Sequence, residues 1–131
     1  MSRHVYVIMP AGSDPRSPKK RAVIGTFCDA RGLTAHFPMD RYHASGVDFP
    51  ISSTLEEMRS SVFVIADLSF MRPSCYYELG LAEAIGCDVL VVAETGTDIH
   101  QSAHRSEVRF YSSLADLASV LTTARSGAQP N

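Results

Sequence analysis

Two carboxylates stand close together in the middle of the chain, within residues 61–80. Asp67 is the first charged residue after an apolar run at 62–65, and Glu78 lies on the segment that follows. A pair of carboxylates suits cleavage of a glycosidic bond, because one group can attack or stabilise the anomeric carbon while the other positions a hydroxyl or transfers a proton. Asp67 and Glu78 are therefore candidate catalytic residues.

The elements around these residues follow from local patterns. The run at 62–65 is β-branched and aromatic, which indicates a strand buried on both faces of a parallel sheet. Pro73 favours a first helical turn and predicts a helix over 74–85. Glu78 is then an acid on an otherwise apolar helical face, which is costly unless it has a function or a partner.

Alternating strand and helix patterns predict the fold. Five predicted strands alternate with helices, and they lie at 5–9, 33–37, 62–65, 88–92 and 108–111. This alternation predicts an α/β single domain with a doubly wound, five-stranded parallel sheet in the order 2-1-3-4-5 and helices on both faces. We expect the domain to span 1–124 and residues 125–131 to form a polar tail. In this order the loops at 10–20 and 67–77 form two sides of one crevice, where Asp67 and Glu78 face the same pocket.

The first of these loops carries groups that could hold an anion. Gly12, Ser13 and Arg16, together with Ser74 at a helix start, offer backbone donors, hydroxyls and one positive charge. A phosphate fits that description, although a solvated loop that caps the next helix is an alternative.

A helix is also predicted within residues 51–60, where Ser53 or Thr54 is expected to cap its start. Glu56 and Glu57 would then lie near the positive end of this helix and stabilise it electrostatically.

Composition excludes several classes of partner. With 12 basic and 14 acidic residues the formal net charge is −2, so no basic field exists to collect a nucleic acid polymer. The sequence has no apolar run of membrane-spanning length and no secretion signal, which predicts a cytoplasmic protein. Cys28, Cys75 and Cys87 show no paired spacing and are expected to be reduced thiols. His100 and His104 have no evident third ligand, so no metal or other cofactor is predicted.

The sequence resembles a known superfamily in several runs. ADLS at 66–69, RPSCYYELGLAEAIG at 72–86 and DVLVV at 88–92 are similar to the signature of the nucleoside 2-deoxyribosyltransferase-like superfamily, and VYVIMPAGS at 5–13 resembles its first strand and loop. The superfamily includes nucleoside deoxyribosyltransferases, nucleotide N-glycosidases and TIR-like proteins that cleave NAD. All of them break an N-glycosidic bond to a ribose-type sugar.

This resemblance implies roles for the candidate residues. Glu78 matches the nucleophile that forms a covalent glycosyl-enzyme, and Asp67 matches the acid that contacts sugar hydroxyls or helps to protonate the leaving base. Gly12, Ser13 and Arg16 match the loop that holds a phosphate, with Ser74 beside it. Where the transferases place a stacking aromatic residue in the first loop, this chain has none, and Tyr42 or Phe49 could supply the stacking. Arg72 is either a ligand contact or a solvated arginine.

The resemblance also implies a substrate class. The expected activity is hydrolysis of a nucleoside 5′-monophosphate to free base and (deoxy)ribose 5-phosphate. Three alternatives remain open: transfer of deoxyribose between bases, NAD hydrolysis by a TIR-like protein, and a nucleotide-binding module without chemistry. The expected partners are a small nucleotide or nucleoside and further copies of the chain, as a homodimer or a higher oligomer.

Overall fold

The computed structural model describes residues 3–10, 12–38 and 48–126. In this part of the chain five strands form one sheet in the order β2-β1-β3-β4-β5, and each pair of neighbours is parallel. The strands are β1 (His4–Ile8), β2 (Thr34–His36), β3 (Val64–Asp67), β4 (Val89–Glu94) and β5 (Arg109–Tyr111). The predicted order 2-1-3-4-5 is confirmed, and it places β1 beside β3 at the point where the order reverses.

Helices cover both faces of the sheet. They are α1 (Ser17–Asp29), α2 (Ile51–Ser60), α3 (Pro73–Ala84) and α4 (Leu114–Ser126). Successive residues of a strand point to opposite faces. Val5 and Val7 of β1 therefore join a core cluster with side chains of α1 and α4, while Tyr6 and Ile8 join a second cluster with side chains of α2 and α3. The predicted two-faced α/β architecture is confirmed.

Local sequence signals explain where the helices begin and end. Pro73 occupies the first turn of α3, where its missing N–H is harmless. Ser113 caps α4 by accepting a hydrogen bond from the Asp116 backbone N–H, and the Asp116 carboxylate accepts one from the Ser112 N–H. Because α4 continues to Ser126, the predicted domain boundary at 124 falls inside that helix.

No helix in the described ranges has the length and apolar character needed to cross a bilayer.

Candidate active site at the carboxyl edge of the sheet

Glu78 is buried against a tyrosine of the first strand. It lies in α3, its residue is 6% exposed, and its Oε1 accepts a hydrogen bond of 3.0 Å from the Tyr6 hydroxyl. Tyr6 belongs to the core cluster beneath α2 and α3 and has no exposed surface. The acid predicted on an apolar helical face therefore has a hydrogen-bond donor, which offsets part of its desolvation and fixes its orientation.

A histidine and a glutamate extend this arrangement along the same face. His36 ends β2, and its ring packs edge-on against the Tyr6 ring with centroids 5.7 Å apart. Its Nε2 lies 3.1 Å from Oε1 of Glu57 in α2. The prediction that Glu57 stabilises a helix start is wrong, because α2 begins at Ile51 with no side-chain cap and Glu57 lies well inside it. His36 was not singled out from the sequence, because it lies within the strand predicted at 33–37.

Asp67 occupies a different face of the sheet. Its carboxylate accepts hydrogen bonds from the Ser69 N–H at 3.0 Å, the Ser69 hydroxyl at 2.7 Å and the Tyr111 hydroxyl at 2.8 Å. Tyr111 belongs to the cluster beneath α1 and α4, so these bonds lead away from the face that holds Glu78. Burial raises the pKa of Asp67, while the hydrogen bonds from Ser69, the nearby Lys20 charge and the bond from Tyr111 act in the opposite direction.

A fully buried lysine links Asp67 to the first loop. Lys20, which ends the segment 10–20 that could have been a solvated loop, lies in α1 with no exposed surface. Its ammonium group donates to Oδ2 of Asp14 and, at 2.5 Å, to Oε2 of Glu94, and it lies 3.9 Å from Oδ2 of Asp67. Burial lowers the pKa of Lys20, but the hydrogen bonds to Asp14 and Glu94 outweigh it and hold the pKa above the ordinary value. The lysine therefore stays charged and ties three segments together at the carboxyl edge of the sheet.

Arg16 belongs to the same network. Its Nη2 donates to Oε2 of Glu94 at 2.6 Å, and this bond raises the pKa of Arg16. Two cations, Arg16 and Lys20, thus face the carboxylates of Asp14, Asp67 and Glu94. The positive charge of Arg16, which was predicted to hold a phosphate, is already balanced by Glu94 within the protein. The contact of Arg16 with a ligand stays a prediction.

Gly12 and Ser13 lie exposed at the start of the first loop. Gly12 has a φ of +77°, a left-handed conformation that glycine adopts without a steric penalty. The backbone can therefore turn sharply after β1 and leave Ser13 at the carboxyl edge of the sheet. The contact of Gly12 and Ser13 with an anion stays a prediction.

The loop between β3 and α3 is strained. Phe70 and Met71 have φ values of 68° and 51°, and a left-handed non-glycine residue costs about 1–3 kcal/mol. The Ser69 bonds to Asp67 precede these residues, and Arg72 and Ser74 follow them as exposed side chains at the start of α3. The loop thus presents Arg72 and Ser74 at the positive end of the helix that carries Glu78.

The two aromatic residues predicted to stack on a base have different outcomes. Tyr42 lies outside the described residues. Phe49 packs edge-on against Tyr77 of α3, with ring centroids 4.9 Å apart. Tyr77 directly precedes Glu78 in α3, so Phe49 is near the helix of the site, and its contact with a base stays a prediction.

Side-chain chemistry in the described ranges offers no metal centre. No group of three or more histidine, cysteine, aspartate or glutamate side chains is arranged there to hold a metal ion. His104 instead lies 2.8 Å from a carboxylate oxygen of Glu83, and the His100 N–H donates to the Tyr76 hydroxyl. The two histidines therefore contact α3 through separate partners.

Comparisons with known proteins support the fold. No protein-family model matches the sequence, and a search of curated proteins found no match. Among solved structures, a CMP N-glycosidase from Clostridium botulinum is 14% identical with a TM-score of 0.62, over 92% of this chain and 99% of that one. A 2-deoxyribosyltransferase from Bacillus psychrosaccharolyticus is 14% identical with a TM-score of 0.60, over 88% and 90%.

A third match is a 2-deoxyribosyltransferase from Leishmania mexicana, 22% identical with a TM-score of 0.55, over 70% of this chain. The chain spans 64% of the length of that protein. At these identities the likeness concerns the arrangement of the backbone. The fold that the sequence resemblance implied is confirmed: the chain shares the fold of these deoxyribosyltransferases and of the CMP N-glycosidase.

Proposed function

We propose that this protein hydrolyses the N-glycosidic bond of a nucleoside 5′-monophosphate, with Glu78 as the nucleophile. The observation that carries the proposal is the buried Glu78 carboxylate held by the Tyr6 hydroxyl at 3.0 Å, in a fold shared with deoxyribosyltransferases and a CMP N-glycosidase. A carboxylate oriented by a tyrosine hydroxyl and shielded from water can attack a sugar carbon without first reorganising its solvent.

The reaction balances in two steps. Glu78 attacks the anomeric carbon, the carbon–nitrogen bond breaks, and its electron pair leaves with the base, which takes up a proton. Water then attacks the same carbon, loses a proton and releases Glu78 together with the sugar phosphate. Tyr6 orients the carboxylate in both steps and supports its negative charge when the ester is cleaved.

We assign to His36 the task of giving the leaving base its proton. It lies beside Tyr6 on the face that holds Glu78, and Glu57 binds one of its ring nitrogens. An imidazole oriented by a carboxylate suits general acid catalysis near neutral pH. Asp67 was predicted to help with this proton, but its carboxylate already accepts hydrogen bonds from Ser69 and Tyr111, so we assign it the task of holding the loop between β3 and α3.

The phosphate is assigned to the edge between the first loop and the start of α3. The exposed Arg72 and Ser74, the positive end of the helix and the backbone around Gly12 and Ser13 could all contribute donors. Arg16 contributes less in this scheme because Glu94 balances its charge. That pairing is also the observation that favours a second candidate, transfer of deoxyribose between neutral nucleosides, which requires no phosphate site.

A substrate panel tests the proposal. The purified protein is incubated with nucleoside monophosphates, nucleosides and NAD, with and without a second free base, and free base and new nucleosides are measured by chromatography. We expect base release from one or more monophosphates and none from NAD. A new nucleoside formed only with added base would favour the transferase, and tight nucleotide binding without any product would favour a binding module.

We also propose that copies of the chain associate as a homodimer or higher oligomer, as the superfamily resemblance implies. The half-exposed Tyr77 and the exposed Ile51 provide apolar surface on α3 and α2. Sedimentation velocity over a range of protein concentrations should give a species of at least twice the 14.3 kDa chain mass. A monomer at all concentrations would contradict this part of the proposal.

A further inference from the structure

Phe70 is held in a conformation that its side chain disfavours, while its ring remains partly open to solvent. Its φ of 68° lies in the left-handed region, and Met71, which follows it, has a φ of 51°. Phe70 is nevertheless 44% exposed, so burial of its ring does not account for this conformation. Strained residues of this kind cluster at active sites, ligand clamps and switch regions, where the surrounding structure holds them in place.

The chain before Phe70 is firmly anchored. The Ser69 N–H and hydroxyl both donate to Asp67, and the Ser69 oxygen in turn accepts a hydrogen bond of 2.8 Å from the Glu94 N–H. Glu94 and Asp67 also belong to the Lys20 network. The ring is therefore presented from a rigid base instead of from a freely moving loop tip.

One side of the ring has a partner within the protein. The Lys20 ammonium lies 5.6 Å from the centroid of the Phe70 ring, at the distance of a cation–π contact. The exposed part of the ring lies at the carboxyl edge of the sheet, two positions before Arg72 and in the loop that leads to Glu78. A flat ligand could pack there against a ring that is already supported from within.

We propose that Phe70 is the aromatic residue on which the nucleobase stacks, and this rests on the proposed function. The first loop lacks such a residue, and every nucleobase offers a flat π face that stacks on a phenyl ring. Phe70 is then a binding residue for the base, and the Lys20 network is the support that keeps it in its strained conformation.

Binding measurements in an inactive background test the proposal. Glu78→Gln prevents turnover, so calorimetry can follow binding of intact nucleoside monophosphates and of ribose 5-phosphate. Adding Phe70→Gly removes the ring and suits the positive φ, so we expect no loss in melting temperature. Binding of the best monophosphate should weaken about tenfold or more, with ribose 5-phosphate unaffected. Phe70→Tyr should retain binding.

Phe110 provides a matched control, because it is also 44% exposed but lies on the edge strand β5. Phe110→Ala should leave the affinity for monophosphates unchanged. Equal monophosphate affinity with and without the Phe70 ring would overturn the stacking role, and so would an equal loss for monophosphate and ribose 5-phosphate. Absence of any nucleotide binding in the Glu78→Gln protein would overturn the proposed function and the stacking role together.

Discussion

Replacing Lys20 by methionine removes the central cation of the site while keeping a side chain of similar length. Asp14 and Asp67 would then remain buried without their cation, whereas Glu94 would keep Arg16 as a partner. Removing one partner of a buried ion pair typically destabilises a protein by about 3–5 kcal/mol. We expect a loss of this size in the free energy of unfolding at neutral pH.

The loss should depend on pH in a defined direction. In the wild-type protein the pKa of Lys20 is held above its ordinary 10.5. The charged lysine therefore contributes its full stabilisation of the folded state below pH 10.5, and this contribution is lost only as the pH rises further. In the variant, Asp67 loses the nearby Lys20 charge that lowers its pKa in the wild type, so burial raises the pKa of Asp67 further. Burial without a cation destabilises the ionised carboxylate. The loss in free energy of unfolding should therefore be largest near neutrality and should shrink as the pH falls towards about 5 and the carboxyl group takes up a proton.

Urea unfolding of Lys20→Met at several pH values between about 5 and 7.5 measures both effects. The neighbouring Lys19 is exposed, and Lys19→Met is the matched control, which should stay within about 0.5 kcal/mol of the wild type. A Lys20→Met protein as stable as the wild type at pH 7.5, or a deficit that does not change with pH, would refute the electrostatic role of the lysine.

Three further outcomes follow from the described contacts. Tyr6→Phe removes the donor to Glu78, so steady-state kinetics on the best substrate should show kcat reduced about 10- to 100-fold with little change in KM. His36→Gln should lower kcat for base release, and an unchanged kcat would show that another group carries the proton. Burial raises the pKa of Cys28 to about 11 and of Cys75 to about 12, so neither should react with iodoacetamide in the native protein at pH 8, as peptide mass spectrometry can verify.

The strands were predictable because buried parallel strands appear as continuous apolar runs, and their order followed from the alternation of strands and helices. The first and last residues of each strand were less predictable. The third strand was predicted at 62–65 but runs from Val64 to Asp67; the exposed Val62 lies before it, although its N–H donates to the His4 carbonyl of β1. Pairing with β1 and β4 decides where the strand begins, and that register is a property of the whole sheet.

The site was only partly visible in the sequence. Glu78 stood out because an acid on an apolar helical face requires an explanation. Its partner Tyr6 lies 72 positions earlier within an apolar run, where a tyrosine is indistinguishable from an ordinary core residue. Lys20 resembled a loop lysine because its burial depends on carboxylates that come from distant segments, among them Glu94, which lies 74 positions later.

The most direct test of the account is whether Glu78 forms a covalent bond with the sugar. The wild-type protein, Glu78→Gln and the exposed-site control Glu56→Gln are mixed with the best monophosphate, quenched rapidly in acid and analysed by peptide mass spectrometry. We predict a sugar-phosphate adduct on the peptide that contains Glu78 in the wild type and the control, and neither adduct nor base release in Glu78→Gln. A folded Glu78→Gln protein that releases base at the wild-type rate would contradict the account.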